Sequence, residues 1–394
     1  MVSFGLFTQK AFSLLACSLV VQGLVIPDAS TATEDVAKRE GPGFLKLDFS
    51  VTKKVINGTT DENTHKRADY QVPLTKQNVY YSIDLNFGSQ AQTISVDIDT
   101  GSSDLWVPDL KTDKAGFDSA SSTTFHDLGI PFSIGYVDKS TASGNFVKDS
   151  VGIPNGPTLK DFQFADATQS TVTQGGVFGI GPIASESTST KYPNFPISLK
   201  NAGYISKNAY SIYLNSVDAT TGSIIFGGID NAKYEGLLVT LPFTQDSGIV
   251  INLDSVTGPD GTVHETNING ILDTGTTVTY LPDDVVSSFA GSIPGAFFLF
   301  GRIYLPSCDA LPSDQFVSFK FGDANIKVPL SDLVQDNGGG SCLLGIFGNS
   351  QSQGFNLLGD SFLRRAYFVA DYDAKTAQIA QVKYTSDSNI VAIQ

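Results

Sequence analysis

The chain has 394 residues, 41% hydrophobic and 16% charged, with 40 Asp/Glu against 25 Lys/Arg and a formal net charge of −15. That length accommodates two packed domains, and the balance suits folded protein rather than disorder. No Lys/Arg cluster offers a phosphate-neutralising patch, which excludes nucleic acid as a partner. Two readings account for the acidity: solubility alone, or adaptation to acid, where an Asp-rich, Lys-poor surface loses charge without leaving many cations to repel one another.

In chain order, residues 1–23 open with Lys10 and run through the apolar stretch Ala11 to Val21, too short for a membrane span and placed where a signal peptide belongs. Cys17 would leave with it, and the mature chain would keep Cys308 and Cys342. One disulfide in an oxidising compartment would join them; two buried free thiols are the alternative. Residues 24–67 show little sustained periodicity, a glycosylation acceptor at Asn57 and dibasic pairs at Lys38-Arg39, Lys53-Lys54 and Lys66-Arg67. They are expected to form a propeptide released after Lys66-Arg67, either by a protease that cleaves at dibasic pairs or by the enzyme itself. The segment either inhibits the cleft it precedes or serves only in folding.

Tyr70 to Phe87 then alternates apolar and polar residues and begins the first clear strands. Short β-branched and aromatic runs follow at Tyr210–Leu214, Ser223–Phe226 and Arg365–Val369, separated by Gly, Asn and Asp turns. Helical signals are few: Asp283 to Ala290 is the best, capped by an Asp after Pro282, while Ser185 to Pro196 reads as a polar surface loop. Nothing after Lys383 is apolar enough for an anchor, and no membrane association is expected. The expected class is all-β.

The informative feature is a duplication. Val96-Asp-Ile-Asp99-Thr-Gly-Ser-Ser103 and Gly270-Ile-Leu-Asp273-Thr-Gly-Thr-Thr277 each end an apolar strand with Asp-Thr-Gly and two hydroxyl residues. Gly101 and Gly275 let the backbone turn tightly and bring N–H groups to the carboxylate, and the hydroxyls of Thr100, Ser102, Thr274 and Thr276 support it. Two such loops meeting face to face place two carboxyls together, where they share a proton and titrate as a unit with one pKa lowered and one raised. The ionised Asp can then deprotonate a water while the protonated one polarises a carbonyl. Peptide hydrolysis without metal or cofactor is the chemistry this predicts. No His-Glu-x-x-His or clustered His/Cys spacing suggests a metal.

In these motifs, and in Asp99–Pro108, Asn208–Asn215, Ile225–Tyr234 and Leu357–Arg364, the sequence resembles the pepsin-like aspartic proteases, and within them the candidapepsin-like acid proteases secreted by yeasts. The resemblance spans roughly residues 68–394. It implies a bilobal fold of two pseudo-symmetric β lobes, over 68–235 and 236–394, with a central cleft and a β-hairpin flap. It implies a secreted, extracellular zymogen acting on proteins and peptides as a monomer, and inhibited by pepstatin-type compounds. It assigns a hydrogen-bonded pair to Trp106 and flap Tyr136, and substrate contacts to Asp138 and Thr277. In the flap, Val137 and Lys139 replace two glycines, which predicts a stiffer hairpin. Asp109 to Phe125 lacks the family's cysteine-closed loop. Asp97 shares its strand face with Asp99. With Asp138 it would let the cleft take Lys or Arg as well as large apolar residues; alternatively, Asp97 only bonds neighbouring hydroxyls.

Two other readings remain. Gly359-Asp-Ser361 superficially resembles the nucleophile block of GDS-type esterases, with His126 or His264 as base. A catalytically silent relative would hold peptides without turnover.

Overall fold

The computed structural model describes residues 43–56, 76–172, 175–308, 311, 314–336 and 342–394; Asn57, Lys66 and Arg67 lie outside the described residues. Strands dominate, as the turn-rich composition predicts. The first of them, Leu45–Ile56, falls inside the span expected to lack periodicity. Its Leu47 and Phe49 are buried while Lys46, Asp48 and Ser50 face water, a period-two pattern that a half-buried strand requires. It pairs antiparallel with Thr221–Phe226 on one side and Lys76–Phe87 on the other, so this stretch of the expected propeptide is an interior strand of the main sheet.

That sheet has thirteen strands. From Leu45–Ile56 it runs one way through Lys76–Phe87, Gln92–Asp99, Gly176–Gly179, Leu105–Pro108, Thr158–Ser170 and Thr141–Gly152 to His126–Gly135. The other way it runs through Thr221–Phe226, Ala209–Tyr213, Ala366–Asp371 and Thr376–Val382 to Tyr234–Pro242. The last residues of the second half thus hydrogen-bond to strands of the first, and the halves expected to meet at residue 235 share one sheet and one core, from Phe49 and Phe178 to Leu272 and Phe368.

The second half adds a five-stranded sheet that contains Val263–Leu272 and Leu357–Leu358. A four-stranded sheet is built on the hairpin Phe297–Leu299/Arg302–Leu305 and the strands Cys342–Leu344 and Val334–Asp336. A disulfide joins Cys308 to Cys342, with Cα atoms 5.4 Å apart.

The helix spans Asp283–Ser292 and buries Val285, Val286, Phe289 and Ala290 on one face. No side chain caps it; Asp283 and Asp284 instead sit in its first turn, where the helix dipole favours anions. The stretch read as a polar surface loop is pinned inward: Glu186, Tyr192 and Asn194 are buried. Tyr192 Oη donates to Asp104 Oδ1 at 2.7 Å, and Tyr192 N to Glu186 Oε2 at 3.0 Å. Asn194 Nδ2 donates to Gly181 O at 2.8 Å, so each of the three has at least one buried hydrogen bond, which composition alone does not reveal.

Candidate active site

Each Asp-Thr-Gly loop leaves a strand that lies parallel to a second short strand. Asp99 is in register with Gly179, and Leu272 with Leu358. Ile180 N then donates to Asp99 O at 3.0 Å, and Asp273 N to Leu358 O at 3.2 Å, so both aspartates are held by main chain on both sides. Gly179 and Gly359 permit this approach. A Cβ on Gly359 would lie 2.3 Å from the carbonyl oxygens of Thr276 and Val278, and one on Gly179 would lie 2.6 Å from Asp104 N and O.

The carboxyls are cradled alike. Gly101 N donates to Asp99 Oδ1 at 2.8 Å and Ser102 Oγ to Asp99 Oδ2. Gly275 N donates to Asp273 Oδ1 at 2.9 Å and Thr276 Oγ1 to Asp273 Oδ2 at 2.7 Å. Thr100 and Thr274 do not touch the carboxylates; they brace the loops against each other. Thr100 N donates to Thr274 Oγ1 at 3.1 Å and Thr274 N to Thr100 Oγ1 at 3.0 Å, while the two hydroxyls donate to Leu272 O and Ile98 O at 2.8 and 2.9 Å. Each glycine faces the opposite carboxyl. A Cβ on Gly101 would sit 2.6 Å from Asp273 Oδ1, and one on Gly275 would sit 2.6 Å from Asp99 Oδ1. Any other residue here would wedge the pair apart.

The two carboxyls lie close enough for each to shift the other's titration. Burial raises both, whereas one lowered and one raised pKa was expected. Hydrogen bonds that favour the ion oppose burial at both, from Ser102 and Gly101 at Asp99 and from Thr276 and Gly275 at Asp273. At Asp273 the charge of Asp99 adds to burial and pushes the carboxyl up to about 7. The pair therefore holds one proton between its two carboxyls, so that one can act as base while the other acts as acid.

The hairpin His126–Gly135/Thr141–Gly152 forms the flap, and its base packs on Trp106 through Phe132, Ala142 and Phe146. Trp106 Nε1 donates to Tyr136 Oη at 2.7 Å. Burial first, then the charge of Asp99, holds the Tyr136 hydroxyl far above its ordinary range, so it keeps its proton. At the tip Lys139 N donates to Tyr136 O at 3.0 Å and Tyr136 N to Ser140 O at 2.9 Å, and Asp138 Oδ1 accepts from Ser140 N and Oγ at 2.9 and 2.6 Å. Lys139 has φ +72° at the bulge position where such hairpins favour glycine. The lost glycine therefore leaves backbone strain of about 1 kcal/mol. Lys139→Gly is expected to relieve it and lower KM for a peptide a few-fold with little change in kcat; a KM equal to or above the parent's would show that the tip does not limit closure.

Flap and loops enclose a cleft of about 690 Å³, lined by Asp99, Asp273, Thr277, Tyr136 and Asp138 and by apolar Ile134, Val177, Leu343 and Phe347. Asp97 also lines it, and its Oδ1 accepts from Ser82 Oγ at 2.8 Å. Burial pushes Asp97 up to about 7 against that hydrogen bond, so in acid it is neutral. Of the other reading, Ser361 is buried and its hydroxyl donates to Gly345 O at 2.8 Å; it braces the strand Thr279–Leu281 through Thr279 Oγ1 at 2.9 Å rather than facing a base. The sequence reading missed Tyr280, Phe347 and Arg302, which form the opposite cleft wall and belong to no motif.

A two-sided cleft over paired Asp-Thr-Gly loops, in a chain where strands dominate and helices are few, defines a pepsin-like aspartic protease. A family model described as eukaryotic aspartyl protease matches residues 80–382, and the chain belongs to that family. Among its relatives, candidapepsin of Candida tropicalis is 42% identical over 410 residues, covering 100% of both chains. Secreted aspartic protease 1 of Candida albicans is 40% identical over 413 residues, covering 98% of this chain and 100% of its own. The crystal structure of an aspartic proteinase from Irpex lacteus superposes with a TM-score of 0.67 at 23% identity, over 79% of this chain and 96% of that one, and shares the fold.

Proposed function

We propose that this chain is a secreted aspartic endopeptidase that cleaves proteins in acid through a water activated between Asp99 and Asp273. The observation that carries this is the pair of buried carboxyls set against each other in symmetric Gly and hydroxyl cradles at the floor of the cleft. Asp99 takes a proton from the water as it attacks the scissile carbonyl, and Asp273 donates its proton to the carbonyl oxygen. As the resulting gem-diol collapses, Asp99 passes its proton to the amide nitrogen, the C–N bond breaks, and a gem-diol hydroxyl returns its proton to Asp273, which restores the starting pair. Tyr136, held by Trp106, positions the flap over the substrate, and Thr277 lines the cleft beside it. Residues 1–23 act as the signal, residues 24–67 as the propeptide, and Lys66-Arg67 as the processing site. The mature enzyme is a monomer that binds pepstatin-type inhibitors.

Large apolar residues fit the cleft lining beside the scissile bond. A basic residue there would be read chiefly by Asp138, which is exposed at the flap tip, because Asp97 holds its proton in acid. Cleavage of a denatured protein should be confined to acid and fall away as pH rises through about 7, the value to which Asp273 is pushed. Pepstatin should abolish it. Following that cleavage from pH 2 to 8, with and without pepstatin, is the test. Turnover that persists undiminished at pH 8 or resists pepstatin would sink the proposal, and pepstatin binding without turnover would make the chain a peptide-binding module.

A further inference from the structure

The C-terminal wall of the cleft carries a cation with no ionic partner. Arg302 opens the second strand of the hairpin Phe297–Leu299/Arg302–Leu305 and lines the cleft, half-buried. Its guanidinium lies 5.2 Å from the centre of the Phe347 ring. Phe347 in turn stands edge-on to Tyr280, with ring centres 6.0 Å apart. Among the described residues Arg302 makes no ion pair, and its side chain donates no hydrogen bond, although the chain carries a net charge of −15.

The carboxylates around it are occupied or apart. Asp283, at the start of the helix packed behind this hairpin, accepts at its Oδ1 from Ser350 N at 3.2 Å. Asp138 bonds Ser140, and Asp273 is committed to the dyad. Asp336 lines the same cleft and forms no ion pair with Arg302. Tyr280, Arg302, Asp138 and Asp273 all line the one cleft, and the Tyr280 hydroxyl, raised first by burial, also feels all three charges, so the guanidinium borders the space between flap and floor.

The cation–π contact with Phe347 holds the guanidinium at the cleft wall, and its N–H groups have no partner among the described residues. A planar, part-desolvated fork of this kind matches a carboxylate. From this geometry we infer that Arg302 reads an acidic side chain, Glu or Asp, at one position of the substrate. The cleft then takes apolar residues beside the scissile bond and one acidic residue at the subsite of Arg302. The other cation of the cleft, Lys139, is exposed on the flap and has no aromatic surface to orient it.

This inference rests on reading the cleft as that of a peptidase. Its test uses the mature enzyme and peptides that differ only in Glu or Gln, moved position by position across the scissile bond. Cleavage of the all-Gln peptide reports the peptidase itself, and the Glu/Gln ratio of kcat/KM reports the subsite. At one position the ratio at pH 6 is expected to be about ten, because a part-buried charged hydrogen bond contributes on that scale. At pH 3 it should fall to about one, since a Glu side chain, with an ordinary pKa near 4.3, is then neutral. Arg302→Gln should remove the preference at pH 6, Arg302→Glu should turn it into a preference for Lys over Glu, and Lys139→Gln should leave the ratio in place. A ratio near one at every position, a ratio unchanged in Arg302→Gln, or one lost only in Lys139→Gln would overturn the inference. So would an equal rise in KM for both peptides in Arg302→Gln, which would mean that Arg302 tethers the flap through Asp138.

Discussion

Asp99→Asn and Asp273→Asn should each lower kcat/KM by on the order of a thousandfold or more, for different reasons. Asparagine keeps the shape of the side chain and one acceptor oxygen, so Gly101 N and Gly275 N retain their partner. Ser102 and Thr276 can turn to accept from the new amide. At position 99 the substitution removes the base that takes the proton from water. At position 273 it leaves an amide that can still hydrogen-bond a carbonyl oxygen but has no proton to transfer. Both variants should fold, because each keeps the shape and the hydrogen-bond partners of the side chain it replaces, and their melting temperatures in acid should stay within a few degrees of the parent. Matched kinetics and calorimetry check this. Either variant cleaving within tenfold of the parent would mean that the two carboxyls do not act as a unit.

The catalytic loops were legible because their chemistry restricts residue choice: only Gly fits at 101 and 275, and only short hydroxyls reach the outer oxygens of Asp99 and Asp273. The strands Ala209–Tyr213, Thr221–Phe226 and Ala366–Asp371 were legible from β-branched runs, whereas their assembly into one sheet was not, since pairing across more than 150 residues leaves no local mark. Leu45–Ile56 carried a readable alternation and was passed over because it follows a glycine-rich turn and ends among lysines. Thr100 and Thr274 were assigned to the carboxylates they follow in sequence. Their hydroxyls cross to the opposite loop, a partnership visible only once the halves meet. The burial of Asp104 and Tyr192 was hidden for the same reason: Asp104 accepts from Tyr192 Oη and Ser187 N, more than 80 residues away.

Buried acids lead to the second large effect: the folded protein should be stable in acid and labile near neutrality. Burial pushes Asp97, Asp166 and Asp273 up to about 7 and Glu186 up to about 8, in each case with desolvation as the leading cause. The neighbouring charges of Asp109 and Asp127 add to the effect at Asp166, and that of Asp99 adds at Asp273. A carboxyl whose folded pKa is raised binds its proton more tightly in the native state than in the unfolded chain. Its stabilising share is whole below the unfolded value near 4 and is lost as pH climbs through the folded value. Asp373 runs the other way: burial would raise it, but Lys200 and Asn208 N hold it below the usual range, so its share is lost only in strong acid. The raised group outnumbers it. After allowance for water near Asp97 and Glu186, the loss between pH 4 and pH 8 is on the order of 5 kcal/mol, and the melting temperature should drop by roughly 10 °C. Calorimetry across that range checks the sign. Asp166→Asn, remote from the catalytic pair, should recover part of the loss at pH 8 and none at pH 4, because it removes a titration without removing a native charge in acid. A melting temperature that holds level or rises towards pH 8 would mean that these carboxyls ionise within the fold at little cost.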